Sequence, residues 1–191
     1  IAIESICYLL IGEAKQQSGQ RHSTFNNLQL VSSDLQKQLL SANRKIDKPQ
    51  KVTDILFSEP EINSDLCQQL ITALNFDGLL NHNFSDLSTG ETRKLLLIKA
   101  LSANSDLVVL DEPFDGLDTK SSGQLNRLLK QLSTHTCFVF VLNRIDEIPA
   151  FVDHFAYVSK GLLQHSLAKP CAAKRADLFK LLHLEHTLVT I

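Results

Sequence analysis

The chain has 191 residues, 43% of them hydrophobic, and a formal net charge of −2. This is enough apolar material for one globular domain with at most a small insertion, and too little positive charge to recruit nucleic acid or an anionic membrane except through local patches. Apolar runs such as 6–11 and 138–142 fall far short of the roughly 18 residues that suggest a bilayer-spanning helix.

Residues 3–11 set Ile3, Ile6, Cys7, Leu10 and Ile11 at helical spacing with Gly12 as a stop, which predicts a core-packed helix at the start. The polar stretch 15–27 reads as a loop, and LQLVS (28–32) as a short strand. Ser33 with Gln36 forms a capping-box pattern ahead of Leu35, Leu39 and Leu40, so a helix is expected to begin there. From 34 to 86 short helical patterns alternate with breakers at Pro49, Pro60 and Gly78, the pattern of a small helical insertion.

The rhythm then changes. A helix over 90–102, a buried strand LVVLD (107–111), a helix with Leu125, Leu128, Leu129 and Leu132 on one face, and a buried strand CFVFVL (137–142) follow in turn. Strands alternating with helices of this length predict an α/β fold with a parallel sheet. HFAYV (154–158) and GLLQH (161–165) are shorter candidate strands, and 173–186 reads as a final helix or a lead into further chain. The four cysteines are scattered, without a CxxC pair or a signal-type leader, which fits a reducing cytoplasm. Methionine is absent even at position 1, so translation is expected to start upstream of Ile1.

Two stretches carry chemistry. LVVLDEP delivers Asp111 and Glu112 at the carboxyl end of a buried strand, where parallel sheets place their ligands. One acid is suited to hold Mg²⁺ and the other to orient and deprotonate a water; two solvated acids at a strand end are the plainer alternative. LSTGE (87–91) opens the next helix upstream. Ser88 and Glu91 there form a capping box, which is a sufficient structural account. The same geometry suits an anion, since Gly90 admits a phosphate to the backbone, Ser88 can donate its hydroxyl, and the helix start offers free amides and the positive end of the dipole.

Together, LSTGE, LVVLDEP and FDGLD (114–118) resemble, in order and spacing across about 87–145, the signature motif, Walker B strand and D-loop of the ATP-binding cassette (ABC) ATPase family. LSTGETRK, DEPFDGLD and VLNRIDEIPAF are most similar to the first half of the family's tandem two-cassette proteins linked to molybdate transport and photorepair. The resemblance implies a P-loop NTPase-like parallel sheet flanked by helices, with a small all-helical subdomain. Its expected boundaries are 1–33 for the end of the first RecA-like part, 34–86 for the helical subdomain, 87–169 for the rest of the core, and 170–191 for a C-terminal helix or linker.

The resemblance also implies ATP and Mg²⁺ as ligands, with Asp111 on the metal and Glu112 as catalytic base. Ser88, Thr89, Gly90, Glu91 and Asp118 would then act on nucleotide held by a second cassette, either another copy or a following domain. A membrane permease subunit is a further expected partner, with a cytoplasmic location peripheral to the inner membrane; no direct nucleic-acid partner is expected.

Three positions depart from the family pattern. No GxxxxGK[ST] occurs around any of the seven glycines, so the chain is expected to begin just past the phosphate-binding loop and to be inactive alone. The glutamine expected after the strand at 28–32 is replaced by Ser32 or Ser33, with Gln36 as a displaced candidate. Asn143 stands where the family has a switch histidine, and its amide can hydrogen-bond a phosphate or water but cannot carry a proton; alternatively it starts a turn before Arg144. A non-catalytic regulatory or dimerisation cassette is the alternative function. An SMC or Rad50-like lobe ranks lower, because 34–86 shows no sustained heptads. His183 and His186 lie i, i+3 with no third ligand in view, Lys174 and Arg175 read as solvated, and Phe114 as an interface or turn residue.

Overall fold

A computed structural model describes residues 24–43, 49–58, 62–159 and 162–168. The helices expected at 3–11 and 173–186, with His183, His186, Lys174 and Arg175, lie outside these residues. The chain divides into two compact units, one ending at Val141 and the other beginning at Leu142.

The first unit is built on three strands, β1 (Leu28–Val31), β2 (Leu107–Asp111) and β3 (Cys137–Val141), paired in parallel in the order β1-β2-β3. Leu28 pairs with Leu107 and Leu107 with Cys137, so the carboxyl ends of the strands lie together. Every residue of β2 is buried, as expected for a central strand covered on both faces. Leu107 and Val109 join Leu30 in a cluster completed by Leu28, Val139 and Val141. The parallel α/β architecture expected from the alternating pattern is present.

Between β1 and residue 88 the described chain is helical apart from a single bridge between Lys51 and Asn83. It holds α1 (Ser33–Asn43), α2 (Val52–Leu56) and α3 (Ser64–Ala73). The start of α1 differs from expectation. Ser32, not Ser33, caps it, its hydroxyl accepting from the Leu35 N–H at 3.2 Å. Gln36 therefore stands one position too late to close a capping box, and its amide goes elsewhere. Asn63 caps α3 by accepting from the Leu66 N–H at 3.0 Å. At the other end, Asn75 takes φ +52° and the Phe76 N–H bonds back to the Ile71 carbonyl at 2.9 Å, turning the buried Phe76 inward.

Helix α4 (Thr89–Ser102) is buried nearly all round, with Leu95, Leu97 and Ile98 fully inside. It contacts α1, α2, α3 and β1 and so, with α1, which also contacts β1, joins the helical segment to the sheet. Helix α5 (Thr119–Leu132) is amphipathic instead, burying Leu125 and Leu129. The second unit contains β4 (His154–Ser159) and β5 (Leu162–Ala168), paired antiparallel from His154 opposite Ala168. Among the described residues no helix is long and apolar enough to cross a membrane.

Candidate functional site

The carboxyl end of β2 carries the two acids. Asp111 is the last strand residue and is only 8% exposed. Burial pushes its carboxyl pKa above the ordinary value, the positive charge of Arg93 and the Ser33 main-chain N–H oppose this, and Asp34 and Asp115 add to the rise. Glu112 follows in a left-handed conformation, φ +49°, with its N–H donating to the Val141 carbonyl at 2.9 Å. A non-glycine residue in that region is strained and persists only where its surroundings hold it.

Helix α4 starts as the sequence predicts. The Ser88 hydroxyl accepts from the Glu91 N–H at 3.3 Å, and the Glu91 carboxylate accepts from both the Ser88 N–H and the Ser88 hydroxyl at 2.7 Å. These bonds draw the Glu91 pKa down. The capping box consequently occupies the Ser88 hydroxyl and places a negative charge at the helix start. An anion arriving there would have to turn Glu91 aside, whereas the N–H groups of Thr89 and Gly90 have no carbonyl one turn back within the helix and suit an anion directly. Among the described residues, a methyl group added to Gly90 would meet only the Gly116 carbonyl oxygen at 3.8 Å, so none of them demands glycine at that place. The same measurement sets the LSTGE helix start against the FDGLD loop.

Asp118 is the N-cap of α5, accepting from the Ser121 N–H at 2.9 Å and the Ser121 hydroxyl at 2.7 Å. These bonds lower its carboxyl pKa. Because the folded value lies below the unfolded one, the cap's contribution is complete above about pH 4 and is lost as the pH falls through the folded pKa. Asp118→Ala is expected to lower Tm by about 2–4 °C near neutrality. Asp118→Asn, which keeps the capping oxygen, should match wild type at pH 7 and exceed it in relative stability below pH ~4; thermal melts between pH 3 and 7 check both outcomes.

Asn143 lies two residues beyond β3, exposed, in the second unit. Arg144 beside it bonds Asp146 at 2.7 Å.

Two residues join these parts and carry more than their sequence positions suggested. Arg93, 7% exposed on α4, donates from Nη1 to the Ser33 hydroxyl at 3.2 Å and from Nη2 to the carbonyls of both Asp111 and Glu112. Gln36, 4% exposed, donates from Nε2 to the Thr89 carbonyl. The displaced glutamine candidate is thus committed to the LSTGE helix. Arg93 had one signal in the sequence: it falls at helical spacing with Leu96, Leu97 and Ala100, on a face otherwise apolar.

The family profile of ABC transporters matches residues 5–115. The chain belongs to the ABC transporter family. It is 34% identical over 187 residues to the ABC transporter ATP-binding protein ModF of Escherichia coli (strain K12), covering 92% of this chain and 38% of that protein. It is 32% identical over 94 residues to the molybdenum import ATP-binding protein ModC of Photobacterium profundum, covering 48% of this chain and 26% of the relative. The chain therefore spans well under half the length of these relatives. Among solved structures the fold resembles the RNase-L inhibitor, with a TM-score of 0.71 at 18% identity, covering 94% of this chain and 34% of that one. An inward-facing metal-chelate type ABC transporter gives a TM-score of 0.62 at 20% identity, over 86% of this chain and 66% of that one. The profile match takes in Ser88, Asp111 and Glu112; Asp118 and Asn143 lie beyond it.

Proposed function

We propose that this ABC transporter family member binds and hydrolyses ATP at an interface between two cassettes, and that the cycle drives transport or remodelling. The observation that carries this reading is the end of β2, where a buried Asp111 is followed by Glu112 held at φ +49° on the carboxyl edge of a parallel sheet. Oxygen donors of this kind suit Mg²⁺, and a carboxyl whose pKa burial has raised gains most from a nearby cation. Mg²⁺, when bound, would neutralise charge on the phosphoryl oxygens. Asp111 is the residue to hold it, and Glu112 the base that takes a proton from the attacking water.

Ser88, Thr89, Gly90 and Glu91 then present the α4 start to nucleotide held by the other cassette, with Asp118 keeping the adjoining loop in place. That second cassette is another copy of the chain or a following domain. A permease subunit at the inner membrane, on its cytoplasmic side, is the partner that a transport role requires, and the likeness to the molybdenum import protein ModC supports molybdate as the linked substrate. We assign 34–86 as the helical subdomain and 1–33 with 87–169 as the core.

A non-catalytic regulatory or dimerisation cassette is the second reading, favoured by Asn143 in place of a titratable imidazole and by Gln36 being spent on Thr89. Mg²⁺-dependent phosphate release from full-length protein separates the two. On the leading reading it is present but slow, because a neutral amide at 143 gives the transition state no cationic or proton-sharing contact. Asn143→His should raise the steady rate about 100- to 1,000-fold, the range for one preorganised transition-state contact. Equal rates in the two proteins would make residue 143 a turn residue.

A further inference from the structure

Among the described residues, the hydrogen bonds of the buried Arg93 guanidinium go to a hydroxyl and two main-chain carbonyls, and its buried Nε finds no partner there. A cation so desolvated, with one donor unmet, does little for stability by itself. Its position accounts for its presence. Nη2 reaches the successive carbonyls of Asp111 and Glu112, clasping the backbone at the residue that adopts φ +49°. Nη1 reaches Ser33 in the first turn of α1, and Gln36 from the same turn holds the Thr89 carbonyl at the start of α4. The end of β2, the first turn of α1 and the start of the LSTGE helix are thereby one hydrogen-bonded assembly.

We propose that Arg93 is a positioning residue, which holds the Asp111–Glu112 backbone so that the setting of the Glu112 carboxylate follows the position of the LSTGE helix. This inference rests on the ATPase reading above. A shift of the α4 start, on meeting another cassette, is carried by the rigid first two turns of the helix to Arg93 and so to the strand end. Lysine retains the charge and most of the stem but has a single nitrogen, which cannot span Ser33 and both carbonyls.

The test is saturation kinetics of phosphate release by full-length wild type, Arg93→Lys, Arg93→Met and Ser33→Ala, with thermal melts of each. Arg93→Lys is expected to lower kcat about 10- to 100-fold with KM for ATP within about threefold, the signature of a misplaced catalytic group rather than lost binding. Ser33→Ala should move kcat the same way by about threefold, since it removes one of three acceptors. If Arg93→Met fails to fold, Arg93→Lys still decides. A kcat for Arg93→Lys within about twofold of wild type, or a change confined to KM, overturns the proposal while leaving the ATPase reading intact. Absence of phosphate release by wild type overturns the ATPase reading and this inference with it.

Discussion

Glu112→Gln in the full-length protein is expected to reduce phosphate release about 100- to 10,000-fold, the range for removing a general base. Glutamine preserves the length and the hydrogen-bonding capacity of the side chain, so the φ +49° turn, the bond from its N–H to Val141 and the contact from Arg93 to its carbonyl should all survive. What is lost is the proton acceptor. On the proposed reading, in which opening follows hydrolysis, the variant should therefore bind MgATP and remain in the closed, ATP-bound state. Melting temperatures of variant and wild type should agree to within about 2 °C, the shift expected of less than 1 kcal/mol in a protein of this size. A variant that still turns over at the wild-type rate would make Glu112 one of two solvated acids at a strand end.

Ser88→Arg is expected to abolish ATP-dependent association of cassettes. The substitution removes the hydroxyl that accepts from the Glu91 N–H, at a cost of about 1 kcal/mol for a lost N-cap. That is small beside a domain stability of roughly 5–15 kcal/mol, and α4 is held by burial of Leu95, Leu97 and Ile98, so the fold should persist. At the helix start, however, a long charged side chain would stand where Thr89 and Gly90 are to meet a phosphate. Small-angle scattering with and without MgATP registers closure within one chain as well as assembly of two. Unchanged ATP-dependent compaction in Ser88→Arg would place the second cassette's contact elsewhere.

What the sequence made legible and what it hid divide on physical lines. LVVLD is apolar at four successive positions and short, as a strand covered on both faces is, and its parallel partners followed from the helices between them. The Ser88–Glu91 box was legible because both halves of a reciprocal cap lie within four residues. At α1 the same rule was off by one, since Ser32 and Ser33 offer equal hydroxyls and only the packed structure selects between them. The left-handed turn at Glu112 left no trace, for glutamate has no local preference for positive φ. Nor did the pairing of Gln36 with Thr89 and of Arg93 with Asp111, contacts that depend on chain segments meeting across the fold. Asp118 read as a residue directed to another cassette; its contacts in this chain are those of a helix cap.

Nucleotide retention after rapid desalting tests the central claim most directly. Full-length Glu112→Gln, incubated with radiolabelled MgATP and passed through a desalting column, should carry unhydrolysed ATP through with it. Wild type should carry less, and Glu112→Gln combined with Ser88→Arg should carry little or none, if the site is completed from a second cassette as proposed. Equal retention by all three proteins, or by none, would contradict an ATP site closed between cassettes.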